Sequence, residues 1–509
     1  MKQGTLLAAI DLGSNSFRLE IGRYEHGQIQ RVEYLKETVR QGSGFDENRN
    51  LSLESMERGW ECLARFAERI SSFNKSQVRA VATQTLREAK NREIFIKRGH
   101  EILGFPIEII SGIEEARLIY QGVSKLLPND NKQRLVIDIG GRSTELVLGQ
   151  NLQAHVTNSF RLGSVAWSLK YFPDGILSEQ AFFKAEIAAK AVLEKALEKY
   201  PRSNWDNAYG CSGTVGAIAD VLAAEGWPSG EISNEGLNWL IKQLVRASHV
   251  DNVRLQGLKE ERRAVIGGGA SVLRALMVLL NIDILNVAQG ALRQGVLYEM
   301  VERDDHATDV RDISIQRLAQ KFNIDQTQSQ RVSRVALQLF NKLIQNSFYE
   351  SHLVQRLKRK LSWAASMHEV GFAISHSDYH KHGAYILENA DLLGFSMQEL
   401  QRLGLLVLGH RGKLRKLDAD FEETEFIKML FALRVAVILC HARKNPDQSG
   451  LEMICNDKEK VFTLEADADW IENYPQSAHL LRQEVIAWQK TDRKSTRLNS
   501  SHTDISRMP

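Results

Sequence analysis

Cysteine is scarce in this chain. Its four thiols, at positions 62, 211, 440 and 455 of 509 residues, have no C-x-x-C spacing. That pattern argues against a disulfide frame or a zinc knuckle and leaves buried thiols as the expectation. Long apolar runs are missing too: none approaches the roughly 18 to 20 residues a membrane helix needs. Met1-Lys2-Gln3-Gly4 leads straight into a core strand without a signal-peptide pattern, so a cytoplasmic location with no membrane partner is expected. The net charge is only +3. With 43% hydrophobic and 25% charged residues, the composition is that of a folded globular protein rather than a disordered one. The length exceeds what one core can serve.

What is present is a duplication. Ile10-Asp-Leu-Gly-Ser-Asn-Ser-Phe-Arg-Leu-Glu-Ile-Gly22 recurs 127 positions later as Ile137-Asp-Ile-Gly-Gly-Arg-Ser-Thr-Glu-Leu-Val-Leu-Gly149, with six of thirteen positions identical. Each copy reads as an apolar strand, an Asp, a Gly-containing turn with a Ser, and a strand of alternating apolar residues, hence a β-hairpin made twice. Gly13, Ser14, Asn15 and Ser16 in one turn, and Gly140, Gly141, Arg142 and Ser143 in the other, can aim N–H groups and hydroxyls at an anion. Asp11 and Asp138 beside those turns would repel a bare phosphate but suit one bridged by a divalent cation. Glu145, seven residues after Asp138, can return to the neighbouring strand end, so that both acids address one hydrated Mg2+. One cleft gripping a metal-phosphate from both sides is the expectation.

The segment to about residue 125 alternates strands and helices, including strands at 78–83 and 107–110 and a helix at 53–71 with Ser52 as N-cap. A second α/β segment opens with the repeated hairpin and runs to about Val301, and a polar linker follows through Asp304, Asp305 and His306. The rest is mostly helical, with a strand-turn-strand around Asn456–Glu459. The expected domains are 1–125, 126–301, 312–445 and a small α+β lobe at 446–491. The tail 492–509 abandons the helical pattern and resembles translated sequencing-adapter DNA, so it is expected to be non-native. It supplies two of the three net positive charges.

Further residues suit phosphate chemistry. Glu115 follows Ser111 and Glu114, which read as a capping box. Glu115 could orient or deprotonate a water in line with a leaving group, or merely complement the helix N-terminus. Arg87, just past a strand end, could clamp phosphate oxygens or form a surface ion pair. Ser212, Gly213 and Thr214 lie in a Gly-rich turn that could bind phosphate or simply close a helix onto a sheet, as could Gly267–Gly269.

These residues resemble those of the exopolyphosphatase and guanosine pentaphosphate phosphatase family, within the superfold of actin and sugar kinases. Asp11–Phe17, Thr83–Arg87, Ser111–Arg117, Asp138–Glu145, Ser212–Thr214 and Gly290–Gly295 carry the likeness over residues 5–490. It implies two actin-like (ribonuclease H-like) α/β lobes, Glu115 as base, Asp138 and Glu145 serving Mg2+, Arg87 on phosphate, and a homodimer. Arg142 departs from the pattern, which has a small residue there. His368-Glu369, with His376, His380, His382 and His410, resembles a degenerate His-Asp phosphohydrolase module without a second active site. Basic groups at Arg356–Lys360 and at His410, Arg411, Lys413, Arg415 and Lys416 suit a long polyanion. No base-stacking aromatics interleave them, so no specific nucleic acid is expected.

The sequence is thus read as an exopolyphosphatase releasing orthophosphate from inorganic polyphosphate with Mg2+. The alternative is a 5'-phosphatase of guanosine pentaphosphate (pppGpp). Rivals of other classes are a kinase-like ATP-binding enzyme and a non-catalytic sensor of polyphosphate or alarmone.

Overall fold

In the computed structural model the chain divides into two compact units, residues 1–309 and 310–509. The described residues are 1–303, 309–345, 347, 349–414, 417, 419, 423–456, 461–490 and 497–500, with 455, 456, 461 and 497–500 described by backbone alone. Of the expected linker 302–306, Glu302 instead ends the helix Leu292–Glu302 and Arg303 caps it, while 304–306, Arg415, Lys416, the turn at 457–459, the Cys455 side chain and most of the tail from 492 lie outside the described residues.

The first unit is built on two sheets of matching topology. One contains β1 (Leu6–Leu12), β2 (Ser16–Glu25), β3 (Gln28–Thr38), β4 (Val78–Ala82) and β5 (Ile107–Ile109), ordered β3-β2-β1-β4-β5. The other contains β6 (Gln133–Ile139), β7 (Thr144–Gln150), β8 (Gln153–Phe160), β9 (Asn207–Cys211), β10 (Glu231–Ser233) and β11 (Ile284–Val287), ordered β10-β11-β9-β6-β7-β8. In each, an antiparallel meander is extended by parallel strands, β1 beside β4 and β6 beside β9. β1 and β6 are central and almost wholly buried, which is why they read as continuous apolar runs. Helices follow their sequence signals: Leu53–Ile70 starts where the Ser52 hydroxyl accepts from Ser55 N at 3.3 Å.

Two helices cross between the sheets. Gly112–Ser124 buries nearly every residue, and its Ala116, Leu118 and Val123 share one apolar cluster with β1, β4, β6, β7 and the helix Leu292–Glu302. Its Tyr120 hydroxyl donates to Asn151 O beside β7, while Tyr298 of the second helix accepts from Ile29 N of β3. The last helix of each half therefore packs across onto the other half's sheet. They meet backbone to backbone: a Cβ on Gly295 would lie 1.8 Å from Leu118 O, and one on Gly122 would lie 2.1 Å from Ala291 O. Gly290-x4-Gly295 is thus a packing motif. Beneath it lies a buried charge cage in which Arg117 bonds Glu114 at 2.7 Å and Glu299 at 2.6 Å, while Arg79 bonds Glu299 and Glu108. Glu114, read from sequence as a capping residue, spends its carboxylate here, because burial demands a cationic partner.

The second unit packs helices Val310–Lys321, Gln326–Ile344, Ser351–Met367, Tyr379–Asn389, Met397–Gly409 and Thr424–Leu439 around Val332, Phe340, Leu361 and Phe431. β12 (Leu451–Asn456) and β13 (Val461–Ala466) form a hairpin, and β14 (Arg497–Ser500) lies parallel to β13. His368 and His410 are buried here, each ring bonded through Nδ1 to the carbonyl three residues back. Burial pushes His368 down to about 4 and His410 well below the usual imidazole range. Glu369 is held by Arg443 at 2.8 Å. His410, counted above among the surface basic groups, is therefore an uncharged core residue. Arg411 lies over the Tyr379 ring at 4.8 Å, and burial lowers Lys360 as well. Among the described residues no helix is long and apolar enough to cross a membrane.

Candidate active site

The duplicated hairpins meet. A Cβ on Gly141 would lie 3.2 Å from Ser14 Cβ and 3.8 Å from Asn15 N, so the two turns face each other in van der Waals range. Their geometry matches: a Cβ on Gly13 would sit 3.0 Å from Ser16 O, and one on Gly140 would sit 3.1 Å from Ser143 O. Gly42 N donates to Ser14 O at 2.7 Å and Thr85 Oγ1 to Ser14 Oγ at 2.8 Å, while Ser164 N and Val165 N hold Gly140 O and Gly141 O at 2.9 Å. Between them opens a cleft of about 390 Å³ lined by Gly13, Ser14, Asn15, Ser16, Gly140, Gly141, Ser143, Ser212, Gly213, Thr214, Asp11, Asp138 and Glu115. Ser212 starts the helix Ser212–Ala224 at φ 86°, a conformation costly for a residue with a side chain, and its hydroxyl donates to Ile139 O at 2.9 Å.

Asp138 and Glu115 line the cleft, and Glu145 lies near enough for their charges to act on it. Asp138 and Glu145 are register partners across β6 and β7, so their side chains leave the same face. Burial raises Asp138 to about 6, against the opposing effect of the Cys211 thiol, which donates to it at 3.3 Å. Burial likewise raises Glu115 to about 7, Arg87 opposes this, and the charges of Asp138 and Asp11 add to it. Glu145 is pushed well up by burial, then by Glu115 and Asp138, although Ser159 Oγ donates to it at 2.8 Å. A Glu near 7 is poised to accept a proton from water at neutral pH.

Not every expected residue reaches the cleft. Arg87 is absent from its lining: its guanidinium donates to Glu115 Oε2 and Ile110 O at 2.8 Å and to Gln84 Oε1 at 2.6 Å. Arg142 also points away, donating to Gly42 O at 2.8 Å and Glu88 at 3.1 Å while lying 4.8 Å from the Phe45 ring. Glu145, 1% exposed, is absent from the lining as well. Sequence reading missed Arg18, Lys36, Lys259, Arg262 and Arg293, which line the same cleft. Arg18 occupies in the first hairpin the position Glu145 holds in the second and pairs with Asp11 at 3.1 Å. Arg293, inside the Gly290–Gly295 motif, bridges Asp11 at 3.6 Å and Glu20 at 3.1 Å. Arg262 lies over bare Gly213, and burial, then Arg18, lower it.

Among the described residues no three His, Cys, Asp or Glu side chains form a ready-made metal cage. Mg2+ does not require one, since it keeps waters and takes one or two carboxylates plus substrate phosphates. Asp138 and Glu145 fit that role chemically: they are buried acids on one face, pushed toward the protonated state by burial and by the acids beside them. Asp11 fits less well, because two guanidinium groups already neutralise it.

Similarity to known proteins points the same way. Residues 21–304 match the Ppx/GppA phosphatase family and residues 310–485 match its domain III. A guanosine-5'-triphosphate,3'-diphosphate pyrophosphatase of Vibrio parahaemolyticus is 36% identical over 494 residues, 96% of this chain and 98% of that protein. One from Pseudoalteromonas translucida is 37% identical over 487 residues, 95% of this chain and 96% of its own length. Among solved structures, an exopolyphosphatase from Cytophaga hutchinsonii (TM-score 0.53, 25% identity) covers 59% of this chain and 98% of its own. The Aquifex aeolicus family member (TM-score 0.51, 25% identity) covers 59% and 99%. The chain belongs to the Ppx/GppA phosphatase family, hydrolases of phosphoanhydride bonds.

Proposed function

We propose that this protein removes the terminal 5'-phosphate of guanosine-5'-triphosphate,3'-diphosphate, releasing orthophosphate. What carries this reading is the near full-length similarity, at 36–37% identity, to relatives named for that substrate. Inorganic polyphosphate, ranked first from the sequence, becomes the second reading, favoured by structural neighbours named an exopolyphosphatase and an exopolyphosphatase-like protein that cover 58–59% of the chain.

The terminal phosphoryl group would rest between the turns 13–16 and 140–143, against the start of the helix Ser212–Ala224. Glu115 would take the proton of a water as its oxygen bonds to phosphorus and the anhydride oxygen leaves with the nucleotide. Arg87 would keep that carboxylate aimed. Arg18, Arg262, Arg293, Lys36 and Lys259 would face the remaining phosphates. Mg2+, held at Asp138 and Glu145, would supply charge neutralisation of the phosphates. The helical unit would be a degenerate His-Asp phosphohydrolase-like module, and the α/β lobes would divide near 125.

Orthophosphate release from guanosine pentaphosphate and from long-chain polyphosphate, at equal enzyme with and without Mg2+, tests the reading. A polyphosphate preference above about tenfold in kcat/KM reverses the ranking. Tight binding with no release from either substrate would identify a sensor instead.

A further inference from the structure

Arg142 leaves a backbone that is already fixed. Its turn is held by Ser164 N, Val165 N and Ala166 N, and a Cβ on Gly163 would lie 2.4 Å from Arg142 N. From this rigid base the side chain reaches, outside the cleft lining, to the segment that holds the other hairpin's turn. There it donates to Gly42 O at 2.8 Å, and Gly42 N donates to Ser14 O at 2.7 Å. Its other terminal nitrogen donates to Glu88 Oε2 at 3.1 Å.

Glu88 ends the helix Gln84–Glu88 and does not stop the chain of contacts. Gln84 Nε2 donates to Glu88 Oε1 at 2.6 Å, and Gln84 Oε1 accepts from Arg87 Nη2 at 2.6 Å and Nε at 3.2 Å. Chemistry forces that amide orientation: a carboxylate accepts only and a guanidinium donates only, so Gln84 must turn its NH2 to Glu88 and its oxygen to Arg87. Arg87 Nη1 in turn donates to Glu115 Oε2 at 2.8 Å. The series is unbroken from the second phosphate-facing turn to the carboxylate proposed as base.

We propose that Arg142 is a positioning residue that sets the orientation of Glu115 through Glu88, Gln84 and Arg87. It thereby couples the aim of the base to the seating of the two turns against each other. This rests on the reading of Glu115 as base. It accounts for a bulky cation in a turn whose glycines must admit a ligand: the guanidinium serves as a tie between the supports of the two turns, not as a contact to phosphate.

The full-length protein with guanosine pentaphosphate and Mg2+ provides the test, using Arg142→Ala, Arg142→Lys, Glu88→Gln and the Arg142→Ala/Glu88→Gln double variant. A slightly misaimed base costs turnover more than binding, so Arg142→Ala is expected to lower kcat about tenfold with KM within about twofold. Arg142→Lys, which reaches Glu88 as a point charge, should recover part of the loss. The double variant should be no slower than the worse single one, since both cut the same chain. A raised KM at unchanged kcat would mean a direct phosphate contact and overturn the proposal, as would additive losses or an unaffected kcat. If Arg142→Ala fails to fold, Glu88→Gln and Gln84→Ala carry the same kcat test. Wild-type protein that releases no phosphate defeats the functional reading itself, a result distinct from any of these.

Discussion

Asp138 faces Glu145 across β6 and β7 at the register where, in the sister hairpin, Asp11 faces Arg18. One backbone has been used twice with opposite electrostatics. The first copy is internally neutralised at 3.1 Å. The second carries two like-charged buried acids, one raised to about 6 and the other pushed well up, chiefly by burial. The pair can be relieved by protons or by a cation.

Cation binding should therefore release protons. In calorimetry near pH 6, carried out in buffers of different ionisation enthalpy, Mg2+ is expected to displace protons from this site, and the share released by Asp138 should shrink as pH rises past its value of about 6. Asp138→Asn should weaken Mn2+ binding by about tenfold or more, read by the loss of the free-ion resonance. Binding without proton release at any pH would contradict the assignment.

Glu115→Gln should abolish turnover, by about 100- to 10,000-fold, while making the fold more stable at pH 8. The folded-state value of about 7 lies above the ordinary 4.5. The native state therefore binds more protons between those limits, and wild-type stability falls as pH rises through that window. Glutamine does not titrate, so its advantage is absent below about pH 4.5 and reaches at most about 3 kcal/mol above pH 7. Thermal unfolding of both proteins across pH 4 to 8 measures it.

Arg262→Ala should raise KM for a multiply phosphorylated substrate several-fold and leave thermal stability within about 0.5 kcal/mol. Gly213→Ala should reproduce it, because the added methyl would sit 2.0 Å from Arg262 Nη2 and displace that flexible end. Equal KM values for both variants and wild type would remove Arg262 from the substrate's surroundings.

Gly295→Ala meets backbone rather than a movable side chain, with Leu118 O 1.8 Å away. The helix bearing Glu115 must then shift, so a loss of about 2 kcal/mol or more and a fall in kcat are expected, read by denaturant unfolding and steady-state kinetics. An unchanged unfolding midpoint would show that the helices can part freely.

The sequence revealed the hairpins because their signals are local: a short strand, an Asp, a glycine turn and an offset repeat. Asp138 and Glu145 could be paired from that offset alone, and the same offset could have exposed Arg18 opposite Asp11. Lys36, Lys259, Arg262 and Arg293 come from separate elements and look like ordinary basic residues until the fold gathers them. Arg87 and Arg142 were assigned to phosphate because arginine suits it, yet each has a nearer carboxylate, on Glu115 and Glu88. The exchange of the helices 112–124 and 292–302 was hidden because helices buried on nearly every side do not say which sheet they meet.

The cage of Arg79, Arg117, Glu114 and Glu299 is buried at every member. Dissolved ions cannot penetrate to screen it as they do exposed charges. Raising ionic strength should thus slow the capture of an anionic substrate by the open arginines while leaving the helix that carries Glu115 where it is. Salt becomes a means of separating encounter from chemistry in this protein.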